Sequence, residues 1–376
     1  MISRASALRN AGVAATAIAG LALVGLLFAW SGLYSVAASR GHWAIVEWFL
    51  AFGMRNSVAT QTIGVEVPPL DDPDLVRLGA GHFHVGCAYC HGAPGRPISP
   101  VARQMLPAPP QLSKAVKDWK PKELFWIVKH GLKYTGMPGW VTLERDDEVW
   151  AVVAFLQKLP GLDEAGYREL ALGGVRVSEQ SGRELATAGS ASNAVDACAR
   201  CHGFEGQAAK SSLVPVLHGQ SAQYLATSLK LYAAGRRKSG IMQPVASDLT
   251  AEDVGKVAAY YAQLSPPASR QPASKASPAM LENGRTLAVD GLAAAGIPPC
   301  LACHGPQALS SYPRLAGQHA DYLVGQLRLW KRGLRSGTDN TAIMAPIALR
   351  LSEQQIQDVS NYLASMVPTG GGIQRQ

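Results

Sequence analysis

Three copies of Cys-x-x-Cys-His account for all six cysteines of the 376-residue chain: Cys87, Cys90 and His91; Cys198, Cys201 and His202; Cys300, Cys303 and His304. Two thiols at this spacing can form thioethers to the vinyl groups of a haem, and the adjacent imidazole can stand under the iron as its first axial ligand. A thioredoxin-like pair would need a βαβ context and would not require a histidine each time. A structural zinc site draws four ligands, usually from two such pairs, and three pairs leave one unmatched. Disulfides within the motifs would leave the three histidines unexplained. The sequence therefore predicts three covalently bound haem c groups.

The second axial ligand decides the chemistry. An open position lets the iron bind a small molecule, whereas a methionine thioether closes it, favours ferrous iron and leaves only electron exchange. Met137, Met242 and Met344 follow the first cysteine of their motifs by 50, 44 and 44 residues. Each is expected in a loop before the last helix of its unit, where it can fold back over the haem. The remaining methionines are Met1, Met54, Met105, Met280 and Met366, and they lack this common position. Of the other histidines, His82 and His84 precede the first haem motif, His130 lies seven residues before Met137, and His218, His319 and His42 have no repeat partner; all are expected as surface or propionate-contacting residues. The expected iron ligands are thus His91, Met137, His202, Met242, His304 and Met344. No catalytic residue is expected, because no nucleophile and base pair, phosphate loop or further metal cluster is evident.

The elements around these residues repeat. Gly182 and Gly284 each precede a first cysteine by 16 residues, and Pro215 to Gln220 answers Pro313 to Gln318. Tyr224 answers Tyr322, while Met242, Pro244, Ala246 and Leu249 answer Met344, Pro346, Ala348 and Leu351. The second and third motifs thus belong to one fold used twice. The first unit is a more distant cousin, with a helix expected from Asp146 to Gln157. In the third unit Ser352 and Gln355 form a capping box, and Ile356, Val359, Tyr362 and Leu363 share one helical face. Pro, Ala and Ser enrichment marks a linker from Ser265 to Ser277, a less distinct link runs from Leu159 to Ser181, and Thr369 to Gln376 reads as a tail. The expected division is 1–60 for a membrane anchor with an interfacial aromatic segment, 61–165, 166–266 and 267–376 for the three haem units.

No charged residue occurs from Asn10 to Ser39, and Val13 to Leu33 is nearly continuously apolar. That suffices to cross a bilayer as a helix, and Arg4 and Arg9 before it place the N-terminus in the cytoplasm. The run is long for the apolar region of a cleaved signal peptide, which favours a retained anchor. The following stretch, Gly41 to Val58, suits the headgroup boundary. Within it and just before it, Trp30, Tyr34, Trp43 and Trp48 are candidates to line a quinone site. With 35 basic and 27 acidic residues the protein carries a formal charge of +8. Three haems would add about six negative charges through their propionates, and no nucleic-acid recognition motif accompanies the positive balance.

On Cys-x-x-Cys-His, the following Pro-x-Leu and the late methionine, the chain from about Asp74 to Met366 resembles the class I c-type cytochromes. Its second and third units are similar to two-domain cytochromes of the c4 type, sharing Met-x-Pro-x-Ala-x-x-Leu at Met242 and Met344. The anchor followed by three haem units resembles the tri-haem cytochrome subunit of membrane-bound periplasmic dehydrogenases, including those partnering molybdenum-dependent aldehyde dehydrogenase or an alcohol dehydrogenase. This resemblance implies a mainly α fold of three tandem class I cytochrome c domains behind an N-terminal transmembrane helix, in the bacterial inner membrane with the haem domains in the periplasm. It further implies a catalytic dehydrogenase subunit and an iron-sulfur subunit as partners, with electrons passed to ubiquinone. Two alternatives stay open: a tethered shuttle feeding a terminal oxidase, and an enzyme in its own right such as a haem peroxidase or reductase.

Overall fold

The computed structural model describes residues 4–173, 190–205, 207–266, 276–335 and 341–368. The tail from Thr369, the centre of the Ser265 to Ser277 linker and Gly182 lie outside the described residues. Helices dominate, and the strands among the described residues are a short antiparallel pair, β1 (Gly203–Phe204) and β2 (Gln207–Ala208).

The apolar N-terminal run forms α1 (Arg4–Ser31), whose stretch Asn10–Ser31 is long and apolar enough to span a bilayer and has no part buried. It is followed by α2 (Ala44–Gln61), which serves two environments. Its C-terminal half seats on the first unit, with Val58 buried and the Arg55 guanidinium 5.0 Å above the Trp119 ring. Its N-terminal half leaves Ile45, Trp48, Phe49 and Phe52 exposed, as is Trp43 just before it.

In the first unit Asp72 caps α3 (Pro73–His82), its carboxylate accepting the Asp74 N–H at 2.9 Å, and proline opens the helix where no N–H is needed. This helix crosses α5 (Asp146–Lys158), which follows α4 (Pro121–His130). Gly79 permits the crossing, because a Cβ there would stand 1.9 Å from the Ala151 carbonyl oxygen. Phe83, Val152, Phe155 and Leu156 fill the core behind it. The expected link after Leu159 is more ordered than its composition suggested: α6 (Glu164–Leu172) is capped by Asp163 and buries Tyr167, Ala171 and Leu172 in the same core.

The second unit comprises α7 (Ser190–His202), α8 (Ala222–Ala233), α9 (Met242–Ser247) and α10 (Ala251–Gln263). The third comprises α11 (Pro278–Val289), α12 (Cys300–His304), α13 (Ala320–Lys331), α14 (Thr341–Arg350) and α15 (Glu353–Ser365). Capping boxes begin both last helices, Thr250 with Asp253 and Ser352 with Gln355. Gly284 repeats the role of Gly79, since a Cβ there would lie 2.2 Å from the Asp358 carbonyl oxygen on α15. Ile356, Val359 and Leu363 are buried as the helical face required, with Tyr362 half-buried beside them.

The second and third units face each other about an approximate twofold relation. Gln318 accepts the Val216 N–H at 2.9 Å and donates to the Val216 carbonyl at 3.0 Å. Gln220, its counterpart, accepts the Arg314 N–H at 3.0 Å and donates to the Arg314 carbonyl at 2.7 Å. Each glutamine therefore completes a backbone donor and acceptor of the other unit, as an added strand residue would. The first unit joins the second through Glu148, and reaches the third through Arg332, which donates to the Glu144 carbonyl at 2.7 Å.

Candidate haem centres

A helical turn brings residues three and four apart onto one face, and each motif uses such a turn. Cys87 ends a π-helical turn, Phe83–Cys87, that runs into the short helix Ala88–His91. Cys198, Cys201 and His202 form the last turn of α7, and Cys300, Cys303 and His304 span α12. The first cysteine of each motif packs against its unit's buried cluster. All six thiols are free. Burial, with a smaller contribution from Cys90, pushes the Cys87 thiol up to about 12, and burial pushes Cys198 and Cys300 up to about 11. These are neutral thiols at physiological pH, unlike the lowered thiols of redox or nucleophilic cysteines. Among the described residues no group of three or more His, Cys, Asp or Glu side chains is placed to hold a metal ion.

The three imidazoles share one contact. His91 Nδ1 lies 2.9 Å from the Pro110 carbonyl oxygen, His202 Nδ1 3.0 Å from that of Pro215, and His304 Nδ1 2.9 Å from that of Pro313. A carbonyl oxygen only accepts, so each Nδ1 carries the proton and each Nε2 keeps its lone pair for a metal. Burial also lowers all three imidazoles below their usual pKa, preserving the neutral form. Paired reduced cysteines beside an imidazole with fixed tautomer fit covalently bound haem c, which supplies a one-electron iron couple when attached.

The methionines are placed less uniformly than expected. Met137 lies half-buried in a loop, its N–H donating to Thr135 Oγ1 at 3.1 Å. Met242 instead opens the short helix α9, its N–H donating to Ser239 Oγ at 3.0 Å, and Met344 lies inside α14. Met366, which lacks the shared spacing, lines a cavity with His304, Leu301 and Val216 between the second and third units. Of the other histidines, His82 packs against Trp140 with ring centroids 4.6 Å apart, and His84 Nδ1 lies 2.9 Å from the Tyr167 hydroxyl.

The four quinone-site candidates do not form one lining. Tyr34 and Trp43 meet edge to face at 5.2 Å, and the Tyr34 hydroxyl lies 2.8 Å from His42 Nδ1. Trp30 is 87% exposed, while Trp48 stacks on Phe52 at 5.6 Å.

Comparison with known proteins assigns the units. Residues 74–156 and 184–260 match the family described as cytochrome c oxidase, cbb3-type, subunit III, and residues 281–367 match cytochrome c. A thiosulfate dehydrogenase electron acceptor from Thiomonas intermedia is 39% identical over 171 residues, covering 45% of this chain and 77% of that protein. A second such acceptor, from Stutzerimonas stutzeri, is 37% identical over 188 residues, covering 49% and 86%. Cytochrome c4 of Pseudomonas aeruginosa is 32% identical over 185 residues, covering 48% and 88%.

These relatives correct several expectations. The kinship lies with cytochrome c4 and the thiosulfate dehydrogenase electron acceptors, and not with the tri-haem cytochrome subunit of molybdenum-dependent aldehyde or alcohol dehydrogenases. Three tandem class I domains give way to a mainly α, two-haem, cytochrome c4-like fold, because a related stretch of 171 to 188 residues has room for two units of the length matched at 184–260 and 281–367. The count of three covalent haem c groups changes accordingly: haem c is supported, in the two-haem arrangement of these relatives. Cys87, Cys90 and His91 keep the geometry given above, in a unit matched by the cbb3-type subunit III family. The relay from an aldehyde- or alcohol-oxidising partner to ubiquinone is overturned on the same ground, and so is that choice of enzyme complex. What stands is a haem-bearing c-type cytochrome of electron transport with a membrane- or periplasm-associated location. At 39% identity across 77% of one relative and 32% across 88% of another, the chain belongs to the family of cytochrome c4 and the thiosulfate dehydrogenase electron acceptors.

Proposed function

We propose that this chain is an electron-transfer cytochrome that takes electrons from a periplasmic dehydrogenase of the thiosulfate-oxidising type. The observation that carries the reading is the repeated imidazole-to-proline-carbonyl contact, which at His202 and His304 leaves Nε2 as the donor atom beside a reduced cysteine pair. The choice of partner follows the relatives at 37% and 39% identity, which are named as electron acceptors of thiosulfate dehydrogenase.

In this reading Cys198 and Cys201 hold one haem c, and Cys300 and Cys303 the other. His202 and His304 are the first axial ligands, with Met242 and Met344 as the second. Closed coordination on both faces suits the irons to electron exchange alone. The carbonyls of Pro215 and Pro313 fix the imidazole tautomer and orientation. The helix α1 crosses the membrane once, with Arg4 and Arg9 on the cytoplasmic side and the haem units outside.

The test uses the oxidised, haem-loaded full chain in detergent, mixed with a purified thiosulfate dehydrogenase. Thiosulfate should reduce the haem bands only when the enzyme is present. Bands that stay oxidised under those conditions, yet respond to dithionite, would refute the choice of partner.

A further inference from the structure

The second cysteine of the motif meets different surroundings in the two repeated units. In the second unit Cys201 lies beneath the first unit: a Cβ on Gly81, near the end of α3, would stand 3.1 Å from its Sγ. Gly173, which closes α6 at a φ of +64°, comes as near to the Arg200 carbonyl oxygen, 3.1 Å from where its Cβ would be. Two glycines thus let the first unit sit close on the motif. The cover is fastened beside them, where Ser211 donates to the Asp74 carbonyl at 3.0 Å and Lys210 pairs with Glu169 at 2.6 Å.

In the third unit Cys303, the same residue of the repeat, is exposed. It stands within a stretch, Gly291 to Tyr312, that contains no Asp, Glu, Lys or Arg, whereas Asp196, Arg200 and Glu205 surround the second motif. Leu292 and Leu309 are 38% and 66% exposed on either side of it, and Ala294 and Ala302 are exposed with them. This surface is held in shape. The Leu292 N–H donates to the Ile297 carbonyl at 2.7 Å and the Ile297 N–H returns to Leu292 at 3.1 Å, with Ile297 buried beneath. Arg350 borders it, donating to the Gly296 carbonyl at 2.7 Å. Charge is depleted at the centre of protein interfaces and kept for the rim, and an open apolar surface bordered by polar groups marks a contact site. The second unit shows what suits such a face, since there a folded protein unit covers it.

We infer that the uncharged face around Cys303 is the docking surface for the electron-donating dehydrogenase, and that the first unit, by covering Cys201, closes the equivalent entry on the second unit. The inference rests on the haem attachment and the partner proposed above. A motif cysteine is joined to a vinyl carbon at the haem edge, so a protein seated over Cys303 is brought next to that edge. Electrons then enter through the third unit and reach the second across the seam between them. In each transfer one electron leaves the reduced dehydrogenase and turns one ferric iron ferrous, with no bond made or broken.

The test places two carboxylates on this face, Ala294→Glu with Leu309→Glu, in the haem-loaded full chain in detergent, with haem content and spectra first matched to the parent. Val101→Glu, in the first unit and as exposed as Leu309 at 66%, is the control for added charge alone. Two readouts are taken. The second-order rate of haem reduction by thiosulfate dehydrogenase supplied with thiosulfate should fall about tenfold or more, because the new charges would be buried unpaired at the contact. Ferricyanide, a trianion that takes one electron from ferrous iron and becomes ferrocyanide, should oxidise the reduced double variant about tenfold more slowly at low ionic strength, with the gap narrowing in salt. Val101→Glu should match the parent in both. If the double variant does not load haem, each single substitution serves in its place. A dehydrogenase that leaves the parent itself oxidised would refute the choice of partner, and the ferricyanide rates then decide the face by themselves. Parent-like ferricyanide rates in the double variant, dehydrogenase rates equal to those of a parent that is reduced, or an equal loss in Val101→Glu would each overturn the inference.

Discussion

Glu148, buried at the start of α5, accepts a hydrogen bond from the Ser239 hydroxyl at 2.5 Å and another from the Gly240 N–H at 2.6 Å. The same Ser239 oxygen accepts the N–H of Met242, so a carboxylate of the first unit braces the loop that carries an axial ligand of the second. Arg145 completes the arrangement, pairing with Glu148 at 2.9 Å and donating to the Lys238 carbonyl at 2.8 Å. There is no room for a side chain at Gly240, where a Cβ would stand 2.0 Å from Trp140 Nε1.

Replacing Glu148 with alanine leaves the Ser239 hydroxyl and the buried Gly240 N–H without their acceptor and Arg145 with Asp147 as its remaining ion-pair partner, and should cost about 3 kcal/mol. Denaturant unfolding of the full chain measures that loss. Burial raises the Glu148 carboxyl above its ordinary value, against the opposing pull of Arg145 and Ser239. Between the unfolded and the raised folded pKa the native state binds more protons, so this group's contribution to stability falls as pH rises through that window. Glu148→Gln should remove that part of the slope and leave the rest of the pH profile in place.

Gln220 and Gln318 offer a cleaner measurement, because each is a neutral side chain with both functions used across the interface. Alanine at either position leaves a backbone donor and acceptor of the opposite unit unpaired, at a cost of about 1–3 kcal/mol. The two should couple in a double-mutant cycle, since opening the interface with one substitution already exposes the groups served by the other. Additive losses would show that the two halves of the interface open independently.

How much of this was legible before the fold was known differs from residue to residue. The cysteine and histidine roles follow from local spacing, because one helical turn suffices to put positions i, i+3 and i+4 on a common face. The capping box at Ser352 and the buried face of α15 are equally local, and the structure has both. Glu148 was visible only as one of several acids opening a helix. Its burial depends on a loop more than ninety residues away, and nothing in the spacing of either segment announces that meeting. Arg237 stands between Arg236 and Lys238 in the sequence, and Tyr322 and Gln326 of the third unit help withdraw it from water. Met242 and Met344 were expected in loops, but Met242 opens α9 and α14 continues through Met344 despite Pro346 in its interior. The resemblance to a tri-haem dehydrogenase subunit rested on the order of anchor and haem units, whereas the relatives include cytochrome c4, the likeness carried by the motif at Met242 and Met344.

The segment after α1 gives a prediction of location. Arg55 and Val58 fix one end of α2 to the first unit, while Trp48, Phe49 and Phe52 remain exposed at the other. Removing residues 1–31 deletes the span and leaves an aromatic half-helix whose binding to lipid is reversible, as for other interfacial helices. The truncated protein should leave membranes under a wash that retains the full chain. Trp48→Asp combined with Phe52→Asp should release it further without changing the haem spectrum. Fractionation followed by haem staining reads both effects.

Met344 and Met242 set the chemistry more directly than any other side chains in the reading proposed here. With a thioether on the iron there is no position for an added ligand, and carbon monoxide has no site on the reduced protein. Alanine at Met344 should open one haem to carbon monoxide and lower its potential, because the soft donor that favours ferrous iron is gone. Alanine at Met242 should do the same at the other haem, and the double variant should bind twice as much. A digest of the same preparations, read by mass for haem on the peptides bearing Cys198 with Cys201 and Cys300 with Cys303, ties each spectrum to its site and reads the Cys87 and Cys90 peptide directly. Met366 provides the control at His304, since it lines a cavity with that imidazole but lacks the shared spacing of the proposed ligands. Carbon monoxide binding after Met366→Ala, with none after Met344→Ala, would move the ligand assignment from the internal residue of α14 to the segment after α15.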